Sequence, residues 1–120
     1  MDPMNLICIL SDEHQQKSLG CYGHPFVQTP VMDRLAEQGT KFNTAYSSSP
    51  ICVPTRGSIA TRKYVHETRC WDNSIGYDGK IESWGHVLQK AGHRVDSIGK
   101  LHFRSTDDPN GFDNEILPLH

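Results

Sequence analysis

Asn5-Leu-Ile-Cys-Ile-Leu10 runs directly into Ser11-Asp12-Glu13-His14. A near-continuous apolar run ended by polar residues suits a central parallel strand buried on both faces. Sheets built from such strands place their ligands at the strands' C-terminal edge. Asp12 and Glu13 fall at that edge, and their carboxylates are hard oxygen donors of the kind that Ca²⁺, Mg²⁺ or Mn²⁺ takes. On the alternative reading the two acids cap a loop or face solvent.

Working outward from this strand, Gln15 to Thr29 is rich in Gly, His and Pro and reads as a loop, with His14 and His24 as polar surface. Thr29-Pro30 is a helix start, an N-cap residue followed by proline at the first helical position. Val31, Leu35 and Ala36 share one face of that helix, and Gly39 is its natural stop. Lys41 to Tyr46 alternates and predicts a second strand. Ile81 to Ala91 has helical spacing, with Trp84, Val87, Leu88 and Ala91 on one side and Gly92 as the stop. His93 to Ile98 then predicts a short strand that delivers Gly99-Lys100-Leu101-His102. In an extended segment Lys100 and His102, two apart, would point the same way and could donate to one anion.

Pro50-Ile-Cys-Val-Pro-Thr-Arg-Gly-Ser-Ile-Ala-Thr-Arg62 follows the polar run Ser47-Ser48-Ser49. Pro54 is tolerated in the first turn of a helix, so Cys52 belongs at or just before a helix N-terminus, with Arg56 one turn along. Unpaired N–H groups and the positive end of the helix dipole converge there and favour anions. Such a setting also suits an activated residue at position 52.

Cys52-x-Pro54-x-Arg56 resembles the C-x-P-x-R signature of type I sulfatases, in which the cysteine becomes formylglycine after translation. Val53 stands where a smaller residue is usual, and Arg62 where glycine usually closes the motif. The run from Thr29 to Tyr46 is similar to the sulfatase stretch leading into the nucleophile. The block from Gly92 to His102 resembles the second sulfatase signature, with His93 and Val95 departing from it. Asn73, 21 positions beyond Cys52, matches an active-site asparagine of the choline-sulfatase and phosphonate-hydrolase branches. Gly111-Phe112-Asp113 leans towards choline sulfatases.

The resemblance implies an α/β fold with a mixed, mostly parallel sheet flanked by helices, of which residues 1–120 are the N-terminal portion of the catalytic domain. It implies a divalent cation, Ca²⁺ before Mn²⁺ or Mg²⁺, held by Asp12 and Glu13. Family members take further ligands from well past the middle of a much longer chain, so this segment alone is expected to bind metal weakly and to turn nothing over. Hydrated formylglycine at position 52 would place one hydroxyl on the metal and attack sulfur with it, and the second hydroxyl would then expel sulfate. Arg56 would steady that group. Lys100 and His102 would neutralise the sulfate, His102 or a later residue would protonate the leaving oxygen, and Asn73 would touch substrate. The implied partners are a small-molecule sulfate ester and a formylglycine-generating or equivalent maturation enzyme, with a homo-oligomer left open.

A formal charge of −2 and a pI near 6.4 leave no basic footprint for nucleic acid. No apolar run approaches the roughly 18 residues of a membrane span. An acid precedes the first apolar run and no cleavage-like tail follows it, which predicts a strand in a cytoplasmic protein, not a signal peptide. The four cysteines are spaced too widely for a zinc motif and are expected to be reduced. Trp71 reads as packing. Gly57-Ser58-Ile59-Ala60-Thr61 lacks the nucleophile-elbow pattern of serine hydrolases. The alternatives are a phosphate or phosphonate monoester hydrolase of the same superfamily, a non-catalytic truncated module, and a cysteine hydrolase using unmodified Cys52 with His102.

Overall fold

Helix α1, Pro30–Gln38, begins at the Thr29-Pro30 step and ends at Gly39 in the computed structural model, which describes residues 4–119. The chain divides into two units between Ala45 and Tyr46. The first unit is organised by α1 and two short 3₁₀ turns, Gln16–Ser18 and Gly20–Tyr22. Asp33, in the first turn of α1 where a carboxylate complements the helix dipole, ties these pieces together. Its Oδ1 accepts the Cys21 N–H at 2.7 Å and the Thr29 hydroxyl at 2.8 Å. The Thr29 hydroxyl in turn accepts the Gly20 N–H at 2.9 Å. Beyond α1 the chain returns past the 3₁₀ turns, where the Tyr22 hydroxyl donates to the Phe42 carbonyl and Lys41 Nζ to the Cys21 carbonyl.

Among the described residues, two expected strands do not form. Asn5 to Leu10 is extended but unpaired, with Leu6, Ile7 and Ile9 each more than 80% exposed, and Lys41 to Tyr46 forms no ladder. A strand is stabilised by main-chain hydrogen bonds to a neighbouring strand, and among the described residues the sheet pairs only β1 with β2, Asp96–Lys100 and Asn114–Leu119. Val31 and Leu35, on the apolar side of α1, are likewise exposed.

The second unit holds α2 (Cys52–Thr61), α3 (Val65–Thr68), α4 (Trp84–Lys90), β1 (Asp96–Lys100) and β2 (Asn114–Leu119). Helix α4 is shorter than its apolar spacing suggests because Ser83 caps it, accepting the His86 N–H at 3.3 Å. The two strands pair in parallel, with Asp96 opposite Asn114 and Ile98 opposite Ile116. The α/β class therefore holds, with two strands among the described residues where a larger sheet was expected. The core is Val53, Ala60, Cys70, Tyr77 and Phe103, flanked by Ile81, Leu101 and Phe112. Tyr77 meets Phe103 edge-on at 4.9 Å between centroids, and Trp84 meets Phe112 the same way at 5.6 Å, an arrangement that aromatic quadrupoles favour. Val53, larger than its place in the motif usually carries, spends its extra methyls in this core, where it is 1% exposed. Trp71, by contrast, is more than half exposed, so the packing role expected of it is not observed.

Candidate active site

Of the expected site residues, Cys52 and Arg56 lie on α2, and Asn73 and the Lys100 main chain contact that helix. Cys52 is the first helical residue and is half-buried, as the position of Pro54 requires. Of the first-turn donors, Pro54 has none and Thr55 N–H returns to the Ile51 carbonyl at 3.3 Å. The Val53 N–H is satisfied from outside the helix, by the carboxamide oxygen of Asn73 at 3.1 Å. Asn73 therefore acts as a cap supplied from 20 residues downstream, adjacent to the candidate nucleophile.

Asn73 stands at the centre of a turn closed by its neighbours. Asp72 Oδ1 accepts both the Ser74 N–H at 2.8 Å and the Ser74 hydroxyl at 2.6 Å, an Asx turn. These two bonds, hydroxyl first, hold the Asp72 carboxyl below the usual carboxylate range. Sequence reasoning passed over Asp72 and Ser74, although Asp-x-Ser is a turn signal with this mechanism.

One turn into α2, Arg56 is buried and its guanidinium donates to the Lys100 carbonyl at the end of β1. The pairing register slips between Ile98 and Lys100, and Gly99 there has φ +88°, a conformation that costs an L side chain energy. The extended geometry expected through Lys100 and His102 is broken. β1 ends at Lys100, and His102 is left-handed at φ +56°, its N–H reaching the Leu119 carbonyl at 3.3 Å. The rule that residues two apart face one way applies only within a strand, so it does not orient this pair. Cys70 is packed in the core behind α2, where burial pushes its pKa up.

Asp12 and Glu13 lie in the first unit, both exposed, with Glu13 at φ +56° in a turn. Two adjacent solvent-facing carboxylates have the donor chemistry of a hard-cation site, but Ca²⁺ takes about six to eight oxygens. Among the described residues no group of three or more His, Cys, Asp or Glu side chains could hold a metal ion. These residues fit the cation as part of a ligand set, not as a whole one. His24 serves its own loop, Nδ1 accepting the Val27 N–H at 2.9 Å, and His14 contacts Ser11 at 3.3 Å.

The family model described as Sulfatase matches residues 4–116. The chain belongs to the sulfatase family. This sulfatase chain is 36% identical over 110 residues to an N-acetylglucosamine-6-O-sulfatase of Bacteroides thetaiotaomicron, covering 92% of itself and 19% of that protein. It is 30% identical to a choline-sulfatase of Rhizobium meliloti, covering 93% of itself and 22% of the relative. Among solved structures, that of BT4656 in complex with its substrate D-glucosamine-2-N,6-O-disulfate superposes with a TM-score of 0.81 at 36% identity, over 87% of this chain and 21% of that one. This sulfatase chain thus spans about a fifth of the length of the relatives it matches.

Proposed function

We propose that residues 1–120 are the N-terminal portion of a sulfatase catalytic domain, the portion that carries the nucleophile, and that the whole enzyme hydrolyses a sulfate monoester. The observation that carries this reading is the bond from Arg56 to the Lys100 carbonyl, which joins the Cys52-x-Pro54-x-Arg56 signature to the Gly99-Lys100 signature 44 residues away. Two stretches that resemble sulfatase motifs separately meet in one unit, beside a helix N-terminus suited to an anion.

Within this reading, Cys52 is the residue converted to formylglycine, which supplies a hydroxyl nucleophile and a route for sulfate release that serine lacks. Asp12 and Glu13 would hold a divalent cation, Ca²⁺ being favoured by hard carboxylate oxygens, with the remaining ligands from elsewhere. When bound, that cation supplies positive charge that lowers the pKa of the nucleophilic hydroxyl. Arg56 keeps a fixed positive charge under the first turn of α2. Lys100 and His102 offset the sulfate's negative charge, and His102 can deliver a proton to the leaving oxygen. Asn73 donates from its carboxamide nitrogen, since its oxygen is taken by Val53. Among the described residues there is no full ligand set, so this segment by itself is expected to be inactive. The four unpaired thiols support a reducing, cytoplasmic setting.

The test uses the full-length enzyme matured by a formylglycine-generating partner. The tryptic peptide containing position 52 should be lighter than its cysteine form by H₂S less one oxygen, and nitrophenyl sulfate should be cleaved faster than nitrophenyl phosphonate esters. Unmodified Cys52 in active enzyme, or preference for the phosphonate, defeats the reading. Choline O-sulfate and N-acetylglucosamine 6-sulfate, assayed side by side, separate the alcohols suggested by the two named relatives.

A further inference from the structure

Asn73 has one carboxamide and two neighbours competing to orient it. Its oxygen is fixed by the Val53 N–H at 3.1 Å, so the NH₂ end is the one left to face outward from the helix start. Asn73 sits on an exposed turn, where a free asparagine would sample several rotamers. What restrains it is the pair of bonds from Ser74 to Asp72 Oδ1, with the Asp72 carbonyl also accepting the Ile75 N–H at 3.2 Å. The residue between two clamped neighbours inherits their geometry.

We propose that Asp72 is a positioning residue: through its turn with Ser74 it sets the orientation of Asn73, so that the carboxamide oxygen caps α2 and the nitrogen is presented as a donor to an anionic oxygen beside position 52. The proposal rests on the reading of Asn73 as substrate-facing. It differs from a generic surface turn in requiring that disturbance at Asp72 be transmitted to the Val53 amide, 19 residues back along the chain.

The experiment follows backbone and side-chain amides by ¹H–¹⁵N spectroscopy and hydrogen exchange in wild type, Asp72→Ala, Asp72→Asn, Ser74→Ala and Asn73→Ala. Losing a helix cap should speed exchange of the Val53 amide about fivefold in Asn73→Ala. Asp72→Ala should match it, and combining Asp72→Ala with Asn73→Ala in a double variant should add nothing further, because both act through one bond. Asp72→Asn keeps an acceptor oxygen and should restore most of the protection. Ser74→Ala, which keeps its backbone donor, should lose only part and remains informative if Asp72→Ala fails to fold. Unchanged Val53 protection in Asp72→Ala, or additive effects in the double variant, overturns the proposal. Inorganic sulfate should shift the Asn73 side-chain NH₂ signals in wild type and less in Asp72→Ala. Coupling to Val53 without any response to sulfate would overturn the substrate-facing role and leave the turn a structural cap. Neither readout depends on formylglycine or turnover, so the sulfatase reading stands or falls separately.

Discussion

The buried guanidinium of Arg56 donates to the main-chain carbonyl of Lys100, joining α2 to the point where β1 ends. Arg56→Ala would leave that carbonyl without its charged donor and a gap beneath the helix. Hydrogen bonds to charged groups contribute roughly 1.5–3 kcal/mol, so a loss of about 2 kcal/mol is expected in urea unfolding. Arg56→Lys should recover little of it, since an ammonium on a flexible stem cannot reproduce a planar fork of donors. A variant with lysine as stable as wild type would show that charge alone matters there.

Arg62 closes α2 with φ +59°, and its N–H donates to the Ser58 carbonyl at 2.8 Å. This is the position where sulfatase signatures usually carry glycine, and the backbone supplies the reason. An L side chain in the left-handed region costs roughly 1 kcal/mol, which glycine avoids. Arg62→Gly should therefore stabilise the protein by about 0.5–1 kcal/mol, raising Tm by a few degrees. Arg62→Val should lower it, because branching at Cβ worsens the same clash. If Arg62→Gly melts lower than wild type, the arginine side chain is contributing something its exposed position does not explain.

The helix punctuation was legible in advance: Thr29-Pro30 and Gly39 bound α1, and Pro54 places the start of α2 at Cys52. These signals are local, resting on φ restriction and a missing N–H, and nothing distant overrides them. Strands were read less well for the opposite reason. Asn5 to Leu10 has the composition of a buried strand, but pairing is a property of two segments, and among the described residues it pairs with no strand. β2, carrying Pro118 and no alternation, gives no strand signal in the sequence, although it pairs with β1. The site shows the same division. Its candidate members rest on resemblance, whereas the contacts from Asn73 to Val53 and from Arg56 to Lys100 span 20 and 44 residues and leave no periodic trace in the sequence.

Acid should unfold the second unit through a defined set of carboxylates. Asp78 is held below its ordinary range by Lys80's side-chain and backbone bonds and by the Lys80 and Arg104 charges, and Asp108 by its bonds to Arg104. Asp96 is lowered by Asn114 and Arg94. A depressed carboxylate contributes stability that is complete above its unfolded pKa, about 3.9, and is lost as pH falls through the lower folded value. The urea midpoint should be flat from neutral pH to about 5 and fall below about 4. Arg104→Gln removes a partner of both Asp78 and Asp108 and should make the acid limb shallower, with only a small change at neutral pH because Arg104 is exposed and its pairs are screened by solvent. An acid limb of unchanged slope would assign the effect to other groups.

Gly85 gives the sharpest packing prediction. In an exposed helix, replacing glycine by alanine gains about 1 kcal/mol from backbone entropy. In α4 the added methyl would collide with the Gly111 carbonyl oxygen, a main-chain atom whose neighbour Asn110 is tied to the start of the same helix by the Ser83 hydroxyl, which donates to the Asn110 carbonyl at 3.1 Å. Overpacking against backbone typically costs roughly 1–3 kcal/mol and sometimes more, and here there is no flexible side chain to yield. Gly85→Ala should therefore destabilise by about 2–3 kcal/mol despite its helical advantage. Gly92→Ala serves as a contrast, since space there is open and only its φ of +85° opposes the methyl, so the loss should be nearer 1 kcal/mol. Equal losses in the two variants would mean that α4 and the Gly111 turn do not approach so closely in solution.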